Sequence, residues 1–177
     1  MAVPERPGGV TFKGVPHTVR GPVLQVGQKA PDFTVIANDL SEVSLADTAG
    51  KIRLISVVPS LDTGLCDAQT RRFNEEATGF SDEVVVLTIS ADLPFAQKRW
   101  CAAAGVDRVQ TLSCHRDMAF ADAYGVHDVD FRWCQRAIFI VDRDDIIRYV
   151  EYVPEIAQPV NFEAALGALR ELISSDS

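Results

Sequence analysis

The sequence predicts an α/β fold, a mixed β-sheet between helices, on three observations. Two nearly continuous apolar runs, Ile52–Val58 and Val84–Ile89, read as strands buried on both faces. Each is followed by a segment of helical periodicity, the first beginning near Gly64 and the second at Pro94. An antiparallel pair and a long amphipathic helix then close the chain, so strands and helices alternate before the order becomes strand, strand, helix.

Taken in order, residues 1–9 are rich in Pro and Gly and are expected to be flexible. Val10–Lys13 and His17–Arg20 flank Gly14-Val15-Pro16 and predict an added amino-terminal β-hairpin. Short strands are expected at Phe33–Ala37 and Val43–Leu45, before the central strand at Ile52–Val58. In the helix from about Gly64 to Thr78, Cys66, Thr70, Phe73 and Ala77 recur at intervals of four, three and four, which is one helical face. After the Val84–Ile89 strand, Pro94 starts a helix and Gly105 ends it, with Cys101 near its end.

A strand near Val109–Leu112 and a brief helix at Met118–Tyr124, ended by Gly125, come next. Ala137–Val141 and Ile146–Val150 form a hairpin around Asp142-Arg143-Asp144-Asp145. Asn161 caps the closing helix, where Phe162, Ala165, Leu166, Leu169 and Ile173 share one side.

At 177 residues and 47% hydrophobic, the chain suits one buried core, and a single domain over residues 10–177 is expected. No apolar run approaches the ~20 residues a bilayer crossing needs, and the amino terminus lacks a secretory apolar stretch, so a soluble cytoplasmic protein is expected. A formal net charge of -8 gives no general attraction to nucleic acid or anionic lipid. The four cysteines, at 66, 101, 114 and 134, are not needed as staples in a domain of this size.

Cys66 carries the strongest chemical signal. It follows an apolar strand and a proline turn, and so falls in the first turn of a helix. Unpaired N–H groups and the positive end of the macrodipole stabilise an anion there, and the thiolate is the reactive form of cysteine. Thiol chemistry is therefore expected. A cysteine hydrolase with His115 or His127 as base finds no support in the sequence around either histidine, whereas a redox sensor without turnover stays open. Cys114, His115 and His127 could be zinc ligands, but no Cys-x-x-Cys spacing accompanies them. Arg71 and Arg72 beside Glu75 and Glu76 suit a solvated helix face.

The run Pro59-Ser60-Leu61-Asp62-Thr63-Gly64-Leu65-Cys66 has the form Pro-x-x-x-Thr-x-x-Cys, which resembles the peroxidatic-cysteine motif of peroxiredoxins. Ser90-Ala91-Asp92-Leu93-Pro94-Phe95-Ala96-Gln97-Lys98-Arg99-Trp100-Cys101 resembles the resolving-cysteine segment of the atypical two-cysteine, thiol peroxidase branch. The similarity extends to the amino-terminal hairpin, Ala30-Pro31-Asp32-Phe33-Thr34, Asp122-Ala123-Tyr124-Gly125-Val126 and the helix beginning Asn161-Phe162. It implies a thioredoxin-like fold, reduction of hydrogen peroxide or organic hydroperoxides, recycling by thioredoxin, and a homodimer. No metal, haem, flavin or nucleotide is implied.

The same resemblance assigns roles. Cys66 attacks the peroxide, Thr63 and the helix-start N–H groups stabilise the departing oxygen, and Pro59 shields the site. Arg136, matched through Arg136-Ala137-Ile138-Phe139-Ile140-Val141-Asp142, favours the thiolate and donates to the peroxide oxygens. Cys101 resolves the Cys66 sulfenic acid into a disulfide. Two cysteines on helices of adjacent βα units are expected to need local unwinding before they can bond. Cys114 and Cys134 match no family position and are expected to be structural thiols, with Cys134 an alternative disulfide partner.

Overall fold

The computed structural model describes residues 3–175. Eleven strands, four α-helices and a 3₁₀ turn form two sheets among these residues. The larger sheet has seven strands. Its interior is three parallel neighbours, β5 (Ile52–Val57), β6 (Val84–Ser90) and β7 (Gln110–Ser113), with β6 in the middle. The margins are antiparallel: β10 (Ala137–Val141) and β11 (Ile147–Tyr152) on one side, β3 (Thr34–Ile36) and β4 (Glu42–Ser44) on the other. This is the mixed sheet that the apolar runs predict. All six residues of β5 are buried, Arg53 included, because its guanidinium reaches Asp145 and the carbonyls of Thr48 and Lys51.

Side chains alternate across this sheet and divide the core in two. Leu54, Val86, Ile138 and Ile140 pack with Cys66, Phe73 and Leu169 on one face. Ile55, Leu87, Ile89 and Phe139 pack with Phe120, Tyr124, Cys114 and Cys134 on the other. The first face is covered by α1 (Gly64–Ala77), α2 (Pro94–Ala104) and α4 (Phe162–Ser175), the second by α3 (Ala119–Tyr124). The helix bounds follow the sequence signals closely: Pro94 occupies the first turn of α2, and Gly105 ends it at φ 68°.

The amino-terminal hairpin differs from expectation in three ways. Strand β1 starts at Glu5, with Glu5 and Arg6 paired to Arg20 and Val19, and residues 7–9 form an irregularity within the strand that accommodates Gly8 at φ 71°. Met1 and Ala2, also expected to be flexible, lie outside the described residues. The turn is Lys13-Gly14, both at positive φ, so β2 (Val15–Arg20) already begins at Val15. Finally, the hairpin extends into a four-stranded sheet through two strands that sequence periodicity does not signal, β8 (His127–Asp128) and β9 (Trp133–Cys134). A two-residue strand is too short to show a period. Gly125 joins this sheet to the core: a Cβ there would meet the Pro22 carbonyl oxygen at 1.9 Å.

The expected strand at Val43–Leu45 is cut short because Leu45–Thr48 turn into a 3₁₀ helix. The Ser44 N–H donates to the Asp47 carboxylate at 2.8 Å, a Ser-x-x-Asp start signal that competes with the strand pattern and wins.

Candidate active site

Strand β5 delivers the chain to buried Pro59 at its carboxyl end, and Ser60–Thr63 lead into α1. Thr63 is the N-cap, extended at φ −89° and ψ 146°, and its hydroxyl oxygen accepts from the Cys66 N–H at 3.4 Å. The same hydroxyl donates to the Ser60 carbonyl at 3.3 Å. Cys66 thus sits in the first turn with its side chain fully buried.

Arg136 immediately precedes β10, the antiparallel neighbour of β5, and is 2% exposed. Its Nη2 lies 3.3 Å from Cys66 Sγ. Nε and Nη2 also donate to the Ile156 carbonyl, and Nη1 donates to Gln69 Oε1 at 2.9 Å. A buried guanidinium is costly without partners, and here every nitrogen has one. The positive charge and the amino-terminal end of α1 therefore converge on one sulfur.

Two residues of this arrangement are missed by the sequence reading. Gln69, one turn after Cys66, is buried and holds Arg136 through its oxygen while donating from Nε2 to Ser56 Oγ at 2.7 Å. Its signal is an amide at position i+3 on an otherwise apolar helix face. Asp92 accepts from Ser60 Oγ at 2.7 Å and from the Leu61 N–H at 2.8 Å, tying the Pro59–Thr63 loop to the Ser90–Cys101 segment. Asp92 stands inside the resolving-cysteine motif and also accepts from Ser90 Oγ at 2.7 Å, but its link to the Pro59–Thr63 loop arises only in three dimensions.

An apolar cavity of about 330 Å³ lies over this site. Pro59, Thr63 and Arg136 line it together with Phe12, Trp133 and Ile156. Cys101 faces a separate cavity of about 490 Å³ with Asn38, Asp39 and Thr111. Its sulfur is 3.3 Å from Thr111 Oγ1, and it is half-buried near the carboxyl end of α2. All four cysteines are free thiols, and the hydrogen bonds of Cys66 and Cys101 sulfur run to different partners.

The remaining candidates lie apart from Cys66. Cys134 Sγ is 3.5 Å from Cys114 Sγ on the opposite face of the sheet. His127 bonds to Asp122 at 2.7 Å, and the His115 N–H bonds to Ser113, so the bonds of both histidines run to groups other than the thiol. Cys114, His115 and His127 do not converge as a ligand set. Among the described residues, His17, Asp128 and Asp130 bring three potential ligand atoms within 4.8 Å of one another. Those atoms already serve the fold: His17 Nδ1 and Asp128 Oδ2 are 2.6 Å apart, and Asp130 accepts from the Thr18 N–H.

Comparison with known proteins identifies the family. The family model described as Redoxin matches residues 25–168. A thiol peroxidase of Halalkalibacterium halodurans is 56% identical over 161 residues, covering 91% of this chain and 96% of that protein. A thiol peroxidase of Bacillus subtilis is 54% identical over 164 residues, covering 93% and 98%. The crystal structure of a peroxiredoxin-like protein from Aquifex aeolicus superposes with a TM-score of 0.84 at 38% identity, covering 92% of this chain and 96% of that one. The chain belongs to the redoxin family and, within it, to the thiol peroxidases.

Proposed function

We propose that this chain is a thioredoxin-dependent thiol peroxidase acting on hydrogen peroxide and organic hydroperoxides, with Cys66 as the peroxidatic thiol and Cys101 as its resolver. The observation that carries this is the Arg136 guanidinium 3.3 Å from Cys66 Sγ at a Thr63-capped helix start. A thiolate held there attacks the terminal peroxide oxygen and becomes a sulfenic acid, while the other oxygen leaves as water or an alcohol after gaining a proton. Arg136, Thr63 and the first N–H groups of α1 stand where they can stabilise that departing charge. Pro59 lines the cavity beside them. The Cys101 thiol then displaces water from the Cys66 sulfenic acid to form a disulfide, which thioredoxin reduces by thiol exchange.

Since each sulfur is held by its own neighbours, disulfide formation requires the ends of α1 and α2 that carry Cys66 and Cys101 to loosen. The partner and location follow from the same reading: a homodimer with both reactive cysteines in each chain, in the reducing cytoplasm where thioredoxin works, and with no nucleic-acid partner at a net charge of -8.

One experiment tests the pair. Reduced protein is treated with one equivalent of peroxide for seconds, remaining thiols are blocked, and the chain is digested with trypsin without reduction. A dominant link between Cys66 and Cys101 is expected. A reduced Cys66 would overturn the peroxidase assignment, and Cys66 oxidised without Cys101 would overturn the resolving role.

A further inference from the structure

We infer that Cys114 and Cys134 form a second redox-active dithiol, one that hydroperoxide closes to a disulfide independently of Cys66. Their sulfurs are in direct contact at 3.5 Å. Both side chains are buried, at 3% and 0% exposure, on the face of the large sheet opposite Cys66. Bond formation requires the sulfurs to approach by about 1.5 Å, since a disulfide spans ~2.05 Å. Cys134 belongs to the two-residue strand β9, paired only with the equally short β8 on that side of the small sheet. Such a strand can yield by that amount more readily than a central one.

The neighbours also set the order of events. Cys114 donates towards Met118 Sδ at 3.9 Å, and the hydrogen bond with Cys114, together with burial, raises Cys134 well above the ordinary thiol range. Cys114, whose sulfur touches Met118 on the wall of the nearest cavity, is the sulfur that hydroperoxide reaches first. A cavity of about 330 Å³, lined in part by Met118, Phe131 and Arg132, lies against the segments that carry both thiols and offers a route for a small hydroperoxide. Cys114 sulfur takes the terminal oxygen, the O–O bond breaks, and water or alcohol leaves with the Cys114 proton. Cys134 sulfur then attacks Cys114 sulfur, the S–O bond breaks, and the hydroxide leaves as water with the Cys134 proton. Two thiols have lost two electrons and one hydroperoxide has gained them. Because an opening motion must precede attack, this oxidation is slower than that of Cys66 and takes place under sustained peroxide. The new bond cross-links positions 20 residues apart around α3 and β8.

The test uses a Cys66→Ser/Cys101→Ser variant beside the unaltered protein, both held for hours in excess hydrogen peroxide. Each is then denatured, alkylated and digested with trypsin without reduction. The expected product in both is peptide 109–116 linked to peptide 133–136, reversed by dithiothreitol and accompanied by a melting temperature raised on the order of 5 °C. Alkylation of both thiols in both proteins, separate oxidation to sulfinic acids, or a link from Cys114 or Cys134 to Cys66 or Cys101 in the unaltered protein would each overturn the inference. Since the double variant lacks both proposed catalytic thiols, its result stands apart from that of the peroxidase test.

Discussion

Cys66 and Cys101 are both helix-borne thiols beyond parallel strands, yet they occupy opposite ends of their helices. Cys66 lies in the first turn of α1, wholly buried against a guanidinium. Cys101 lies in the last turn of α2, half-buried, with its carbonyl accepting from the Gly105 and Val106 N–H groups. The helix field favours an anion at the first position and disfavours it at the second. In the proposed cycle, placement alone thus gives two chemically identical side chains successive tasks: one meets peroxide, the other waits for a sulfenic acid.

Substitution of the two thiols should separate those tasks most sharply. Cys66→Ser replaces the nucleophile with a hydroxyl that does not ionise near neutral pH, and peroxide consumption should fall on the order of a thousandfold or more. Cys101→Ser should leave the first oxidation of Cys66 within about twofold of normal while steady turnover with thioredoxin collapses and Cys66 proceeds to sulfinic acid. Single-turnover and steady-state rates, compared on each variant, provide the check. Equal loss of both rates in Cys101→Ser would remove the division of labour.

Changes at Arg136 should rank next in effect. Arg136→Lys keeps a charge but loses the planar fork that bonds Gln69, Ile156 and Cys66 together. Peroxide consumption should fall by about 10²–10³, the usual loss when one preorganised donor is removed. Melting temperature should be measured alongside, because Gln69 Oε1 and the Ile156 carbonyl lose their partner. A fall in stability with an unchanged rate constant would make Arg136 a structural residue only. Thr63→Val should have a smaller effect. It removes the N-cap at a cost of ~1 kcal/mol of stability, and Thr63→Ser should restore it.

The sequence is informative where local chemistry decides. Proline and glycine mark both ends of α2, and the apolar run of β5 announces a strand covered on both sides. Cys66 and Arg136, 70 positions apart, can be paired only through family resemblance, since no local signal links a helix start to the residue before a distant strand. Gln69, Asp92 and the Cys114–Cys134 contact are not legible, because each acquires its meaning from a partner brought near by the sheet. Likewise, β8 and β9 exist through pairing with β2 and with each other, and two residues carry no period to read. Residues 5–9 read as loose from their Pro and Gly content, but antiparallel pairing and a bulge override composition.

The hairpin also contrasts with the Cys66 site in what holds it. Cys66 and Arg136 are fixed by buried contacts, whereas the rim formed by Phe12 and Ile156 hangs on a solvent-facing carboxylate. Glu155 accepts from the Ala157 N–H at 2.6 Å, the Gly14 N–H at 2.9 Å and the Thr11 hydroxyl at 3.0 Å. Those bonds, the Ala157 and Gly14 amides foremost, lower its pKa from 4.5 to about 2. A lowered carboxylate pKa means that its contribution is complete above the unfolded value and is lost as pH falls from about 4.5 through about 2. The amide signals of Gly14 and Ala157 should therefore titrate together with a midpoint near 2. At neutral pH, Glu155→Gln should weaken the rim without touching the thiol, raising KM for a bulky organic hydroperoxide a few-fold while leaving hydrogen peroxide, which needs no apolar wall, unchanged. An equal change for both substrates would show that the hairpin governs the Cys66 site as well as the rim, and the contrast between the two regions would fail.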